Sequence, residues 1–112
     1  MLKRNPNLLL QDMLKAGLKI RRYVHDFSMA DFCNDEKTVD AVVRNLEIIG
    51  EAASQMPLGF TEEHPAIPWA QLRGLRNRIV HAYFGVDEEI IWKIVKSDLP
   101  ELTDRLQALL YP

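Results

Sequence analysis

Apolar residues recur three or four positions apart along almost the whole chain. That spacing belongs to elements that bury one stripe of a 3.6-residue helix. The first stripe is Leu10, Met13, Gly17, Ile20, Val24 and Phe27, with Leu14 and Leu18 beside it, and it predicts a helix over residues 7–26. Ser28 and Asp31 have the spacing of a capping box for a short helical turn. The second stripe runs through Val39, Val42, Val43, Leu46, Ile49, Ala53 and Met56. It predicts a helix that starts after Asn34 or Asp35, both good N-cap residues, and stops at Pro57 and Gly59. Gly50 lies inside it at a cost of about 1 kcal/mol relative to Ala, and close approach of another backbone is the expected reason.

Residues 57–68 hold three prolines and read as the main interhelical loop. Pro68 suits the opening turn of a third helix over residues 69–82, with Gly85 as its stop. Asp87 precedes a fourth helix over residues 88–96, whose first turn is acidic. Ser97 or Asp98 is the expected cap of a fifth, with Pro100 in its first turn, running to Leu110. No segment sustains period-two alternation. The fold class expected is all-α, an antiparallel bundle of four to five helices joined by short loops.

Composition narrows the function classes. A chain of 112 residues suits one domain, residues 1–112, and 47% hydrophobic with 27% charged residues is ordinary for a globular protein. A net charge of −2 argues against coating nucleic acid through bulk charge, while leaving room for a localised basic site. The single Cys33 excludes an intramolecular disulfide framework and a Cys-rich zinc site, and reads as a small buried apolar residue. Apolar runs fall far short of the roughly 20 residues of a membrane span. With no leader segment, the cytoplasm is the expected compartment. Nothing in the spacing of His and carboxylates suggests a metal or another cofactor.

The segment with chemistry in it is Gln71–Tyr83, which gathers Arg73, Arg76, Arg78 and His81 in an otherwise slightly acidic chain. At ~100° per residue, Arg73, Asn77 and His81 form one polar ribbon and Arg76, Val80 and Tyr83 its neighbour. Arg76 and His81 stand ~140° apart around the axis. Their tips converge only if the arginine bends, the helix loosens near Ala82, or a second subunit completes the site. Arg with His is a sensible pair for cutting RNA without a metal. A ribose 2′-OH attacking the adjacent phosphate needs a proton acceptor and a donor for the leaving oxygen, and His does either near neutral pH. A guanidinium clamps the phosphate oxygens as charge builds on them. Asn77 would orient His81 or hold phosphate. By itself, though, an Arg and a His on one helix equally describe a solvated face.

On the predicted second helix, Arg44, Glu47 and Glu51 fall at i, i+3 and i+7. Arg44 and Glu51 are open between a layer supporting Arg76 or His81, an RNA-facing rim, and an exposed ion pair. For Glu47 the exposed pair is the simpler account. His25 and His64 read as surface residues, and Trp69 and Trp92 as core or interface anchors. Lys3, Arg4 and the cluster Lys19-Ile20-Arg21-Arg22 read as solvated, with RNA contact the less favoured alternative.

Beyond these local patterns the chain resembles the HepT-like toxins of the HEPN superfamily. The motif Arg76-Asn77, then four residues from Arg to His81, then Tyr83 resembles that family's Arg-(four residues)-His-X-Tyr pattern. Asp40-Ala-Val-Val-Arg-Asn-Leu-Glu-Ile-Ile-Gly-Glu-Ala52 is similar to its second-helix signature. Ile67-Pro-Trp69, Phe84-Gly-Val-Asp87, Ile91-Trp92 and Asp98-Leu-Pro-Glu-Leu102 extend the likeness over nearly the whole chain. The resemblance implies a HEPN-like helical bundle, a homodimer with Arg and His of both subunits in one cleft, and metal-independent RNA cleavage. It assigns catalysis to Arg76 and His81, with Asn77, Arg73, Arg44 and Glu51 supporting them or contacting RNA. It further implies the toxin half of a toxin–antitoxin pair of type II/VII character. The partner would be a minimal nucleotidyltransferase antitoxin that inactivates the toxin by adding AMP to Tyr83. Ala82 departs from the family, where a polar residue is frequent. The alternative is a non-catalytic helical partner of a nucleotidyltransferase.

Overall fold

The computed structural model describes residues 5–84 and 87–112, with only the backbone of residues 81–84. It is all-helical, and the described residues contain no strand. Helix α1 spans Pro6–Tyr23, α2 Met29–Cys33, α3 Glu36–Gln55 and α4 Leu58–Glu63. Helix α5 follows over Trp69–Arg73, α6 over Leu75–Phe84, α7 over Glu88–Lys93 and α8 over Leu99–Leu110. No helix among the described residues is long and apolar enough to cross a membrane.

Local chemistry accounts for most of the boundaries. Asn5 caps α1 by accepting from the Asn7 amide at 2.8 Å, and Pro6 fills the first turn. The helix ends at Tyr23 rather than at residue 26, because the turn that follows carries Asp26 at φ 63°, a left-handed conformation no helix can continue through. Ser28 and Asp31 form the expected capping box at 3.0 and 3.1 Å. Asp35, not Asn34, caps α3 through the Thr38 amide.

Three expectations fail for physical reasons. The proline-rich stretch is not all loop: α4 forms inside it. Phe60 there packs tilted against His64 one turn on, with ring centroids 4.4 Å apart, and meets the edge of Trp69 at 6.2 Å, so these contacts offset the poor helix propensity of Gly59. The third helix is two helices meeting at Gly74. And the fourth and fifth helices are not parted: Asp98 takes the cap position of α8 but its side chain makes no cap bond, and the chain runs into α8 through a π-helical turn over Ile94–Asp98. Pro100 has no N–H for the carbonyl four residues back and its ring crowds that carbonyl, and a wider turn ahead of it accommodates the ring without breaking the helix. The proposed Gly85 stop lies outside the described residues.

The core runs between α1, α3 and α8 and on to the Phe32–Trp92 pair, whose ring centroids are 5.3 Å apart. Two glycines set how closely the elements approach. A Cβ on Gly17 of α1 would lie 2.7 Å from the Thr103 methyl of α8. A Cβ on Gly50 of α3 would lie 3.2 Å from the Leu72 carbonyl oxygen and 3.9 Å from the Arg76 amide nitrogen. Gly50 thus lets the α5–α6 joint rest backbone-to-backbone on α3, as its mid-helix position suggests. This contact brings the start of α6 onto α3.

Candidate functional site

Because Gly50 faces the α5–α6 joint, the residues flanking it on α3 border the first turn of α6. Arg76 projects there and is exposed. It lines an open groove of about 460 Å³ with Arg44, Glu47 and Glu51 of α3 and Asp12 of α1. Leu9, near the start of α1, and Gln55, at the end of α3, line the same groove, so the two long helices run antiparallel along it. Gln55 donates to the Glu51 carboxylate at 3.2 Å, one turn away on the same helix. Buried Asn45, next to Arg44, folds back onto the Ala41 carbonyl and takes no part.

The groove holds two guanidiniums and three carboxylates, so it is not a simple basic patch. Such a mixture suits a place where cations are aimed and held by anions rather than one that attracts phosphate at long range. Among the described residues no group of three or more His, Cys, Asp or Glu is placed to hold a metal ion.

The sequence-predicted residues fall into three sets. Arg76, Arg44 and Glu51 share the groove, and Glu47, expected on the simpler account to be just an exposed pair, lines it with them. Arg73 and Asn77 are exposed but do not line it. Arg73 belongs to α5, and its Nε donates to the Ala53 carbonyl at 3.5 Å, so the polar ribbon drawn through Arg73, Asn77 and His81 spans the Gly74 joint. His81 and Tyr83 lie on the α6 backbone, and their side chains fall outside the described residues. Asp12 and Gln55 were missed. Gln55 continues the polar stripe of Arg44, Glu47 and Glu51 by one more turn, a signal the sequence held. Asp12 sits on another helix and only packing brings it in.

The backbone of α6 settles one matter. It is helical from Leu75 through Phe84, so it does not loosen near Ala82. Arg76 and His81 therefore keep their ~140° separation, and Tyr83 stays almost two full turns above Arg76 on the same face. Cys33 is half-buried against the core, and desolvation, followed by the charges of Glu88, Glu89 and Asp87, pushes its thiol pKa up, the opposite of what a nucleophilic thiolate needs. His25 is exposed beside Asp26, His64 is half-buried on Phe60, and Trp69 and Trp92 are buried in the core. Lys3 and Arg4 lie outside the described residues.

Residues 13–109 match the family described as ribonuclease HepT-like. A protein of Thermococcus cleftensis named "Probable ribonuclease HepT" is 41% identical over 108 residues, which cover 96% of this chain and 98% of that protein. A protein of Methanocaldococcus jannaschii named "Putative RNase MJ1380" is 37% identical over 109 residues, covering 97% of this chain and all of its own length. No solved structure matches the chain.

Proposed function

The chain belongs to the ribonuclease HepT-like family, and on that premise we propose that it is a metal-independent RNA endonuclease that acts as the toxin of a toxin–antitoxin pair. His81 takes the proton of a ribose 2′-OH or gives one to the leaving 5′-oxygen. Attack of the 2′-oxygen on phosphorus breaks the P–O5′ bond, leaving a 2′,3′-cyclic phosphate and a free 5′-hydroxyl. Arg76 holds the non-bridging phosphate oxygens as they gain charge. Glu47 and Glu51 orient that guanidinium, and Arg44 is a second cation open to the RNA phosphate.

The observation that carries the proposal is the groove itself: Arg76 opens onto the charged stripe of α3 across the Gly50 contact. The ~140° offset between Arg76 and His81 supports a homodimer in which a two-fold axis brings the pairs together. The alignment of Tyr83 with Arg76 supports control by a partner nucleotidyltransferase. Transfer of AMP from a nucleoside triphosphate to the Tyr83 oxygen, with release of pyrophosphate, would set an anionic phosphate within reach of the arginine meant for RNA.

The test is expression of the wild-type chain, and of His81→Ala, without a nucleotidyltransferase. RNA should be cut by wild type and not by His81→Ala, and cutting should persist in EDTA. Intact RNA with the wild-type chain favours the non-catalytic partner instead. For control, mass spectrometry after co-expression with the partner should find AMP on Tyr83 and none on Tyr83→Phe. AMP on another residue would refute that assignment.

A further inference from the structure

A second groove, of about 320 Å³, lies along the outer face of α1, with Tyr111 beyond the end of α8 closing one side. Lys15, Lys19 and Arg22 line it, at i, i+4 and i+7. Cations so spaced project from one helix face a turn apart. No carboxylate side chain is among its lining residues, in a chain with 16 acidic and 14 basic residues. Its floor is apolar, from Leu14 and Leu18, and Tyr111 is 69% exposed. The run Lys19-Ile20-Arg21-Arg22 is not uniformly solvated. Arg21 is held by a 2.9 Å bond to Oγ1 of buried Thr103, while Lys19 and Arg22 turn into the groove.

We propose that this groove binds the backbone of single-stranded RNA, with Tyr111 stacking on a base, and that it supplies affinity the candidate site lacks. The proposal rests on the ribonuclease reading for its purpose, though not for its geometry. Two guanidiniums offset by three carboxylates attract a polyanion poorly, whereas three cations in a groove lined by no carboxylate, beside an exposed ring, are the elements of a single-strand track. The two grooves also adjoin. Asp12 lines the first, Lys15 and Lys19 the second, and the three fall at i, i+3 and i+7 on one face of α1. A strand can therefore pass from one to the other along a single helix.

The experiment measures binding of fluorescein-labelled single-stranded RNA by anisotropy across a salt series, in the uncleaving His81→Ala background. Into it go Lys15→Glu/Lys19→Glu, Tyr111→Ala, and a control of equal charge change, Lys37→Glu/Lys93→Glu. The groove pair should weaken binding about tenfold or more and reduce the slope of log K against log salt by about 1.4, the value for two lost phosphate contacts on a single strand. Tyr111→Ala should weaken binding at least about fivefold and leave the slope alone. The control should bind nearly as the parent does. Circular dichroism confirms that each variant folds. The proposal is overturned if the groove pair binds like its parent, if the control loses as much, or if polyglutamate binds the parent and RNA does not, which would assign the groove to an acidic polypeptide. Groove-dependent binding with no cleavage by the wild-type chain would sink the enzymatic reading and leave the groove standing. Cleavage with groove-independent binding would do the reverse.

Discussion

Arg76 and Arg78 stand two residues apart on α6, and both are exposed, yet the two flanks of the helix that carry them differ. Two residues turn a helix by ~200°, so the side chains leave on opposite sides. On one flank Arg76 opens into a groove among Asp12, Arg44, Glu47 and Glu51. On the other Arg78 reaches Asp98 at 3.9 Å, at the end of the π-helical turn. One flank assembles charges from three helices around open space. The other makes one exposed ion pair over a small apolar crevice of about 40 Å³. Residue type and exposure do not distinguish these arginines. What distinguishes them is the element each one faces.

The largest effects should come from removing the proposed catalytic pair, Arg76 on the first flank and His81, which stands ~140° from it around the same helix and reaches it only across a subunit interface. His81→Ala should lower cleavage by about 10²–10⁴-fold, the usual worth of a general acid or base. Arg76→Ala should lower it by about 10²–10³-fold, as when a group stabilising transition-state charge is lost. Arg78→Ala should change it by less than about threefold, as surface substitutions away from special features do. Single-turnover cleavage of a labelled RNA measures all three. Equal losses for Arg76→Ala and Arg78→Ala would erase the distinction.

Next comes the contact that aims the first flank. Gly50→Leu must push its side chain against the Leu72 carbonyl, a backbone atom that cannot swing aside. Overpacking of this kind should cost about 1–3 kcal/mol in urea unfolding. Because the same contact sets the Arg76 backbone, cleavage measured well below the unfolding midpoint should fall too. A variant destabilised this much but fully active would show that Arg76 needs no help from α3. A finer probe of the same flank is Glu51→Gln, which keeps shape and removes charge. It should reduce cleavage about tenfold, the worth of one charge-assisted hydrogen bond. No change would return Glu51 to the role of an exposed ion-pair partner.

How much of this was legible in the sequence depends on the range of the forces involved. The caps whose signals are local were readable, the capping box of Ser28 and Asp31 and the Asp35 cap, while a glycine inside a helical stripe pointed to a close backbone contact at Gly50 without naming its partner. Helix α4 was not readable: Phe60 and His64 stand one turn apart, but the prolines and Gly59 around them outweigh that pair, and the contact of Phe60 with Trp69 outside the helix is recorded by no local pattern. The Gly74 joint and the π turn before Pro100 were missed because helical periodicity carries on across both. At the site, Arg44, Glu51 and Arg76 could be chosen by type and spacing, but their meeting is a product of packing, and so is the arrival of Asp12. Type and exposure do not separate Arg76 from Arg78, and only the motif resemblance singles out Arg76.

The smallest effect expected is on the second flank. Arg78 and Asp98 are joined at 3.9 Å with side chains 47% and 59% exposed. Water screens such a pair, and ordering two side chains offsets much of its attraction, so exposed pairs contribute about 0.2–1 kcal/mol. Single substitutions cannot isolate that quantity, because removing either partner also changes its other surroundings. A double-mutant cycle with Arg78→Ala, Asp98→Ala and the combination does isolate it. The coupling from urea unfolding should lie in that range and shrink as salt rises toward 1 M, where the Debye length falls to about 3 Å. The pair bridges α6 to the π turn, so it bears on whether α6 is steered from both sides or from α3 alone. If the coupling exceeds this range, resists salt, and is matched by a loss of cleavage in Asp98→Ala, then the second flank also holds Arg76 in place. Weak, salt-sensitive coupling with normal cleavage leaves the aiming of α6 to its contact with Gly50.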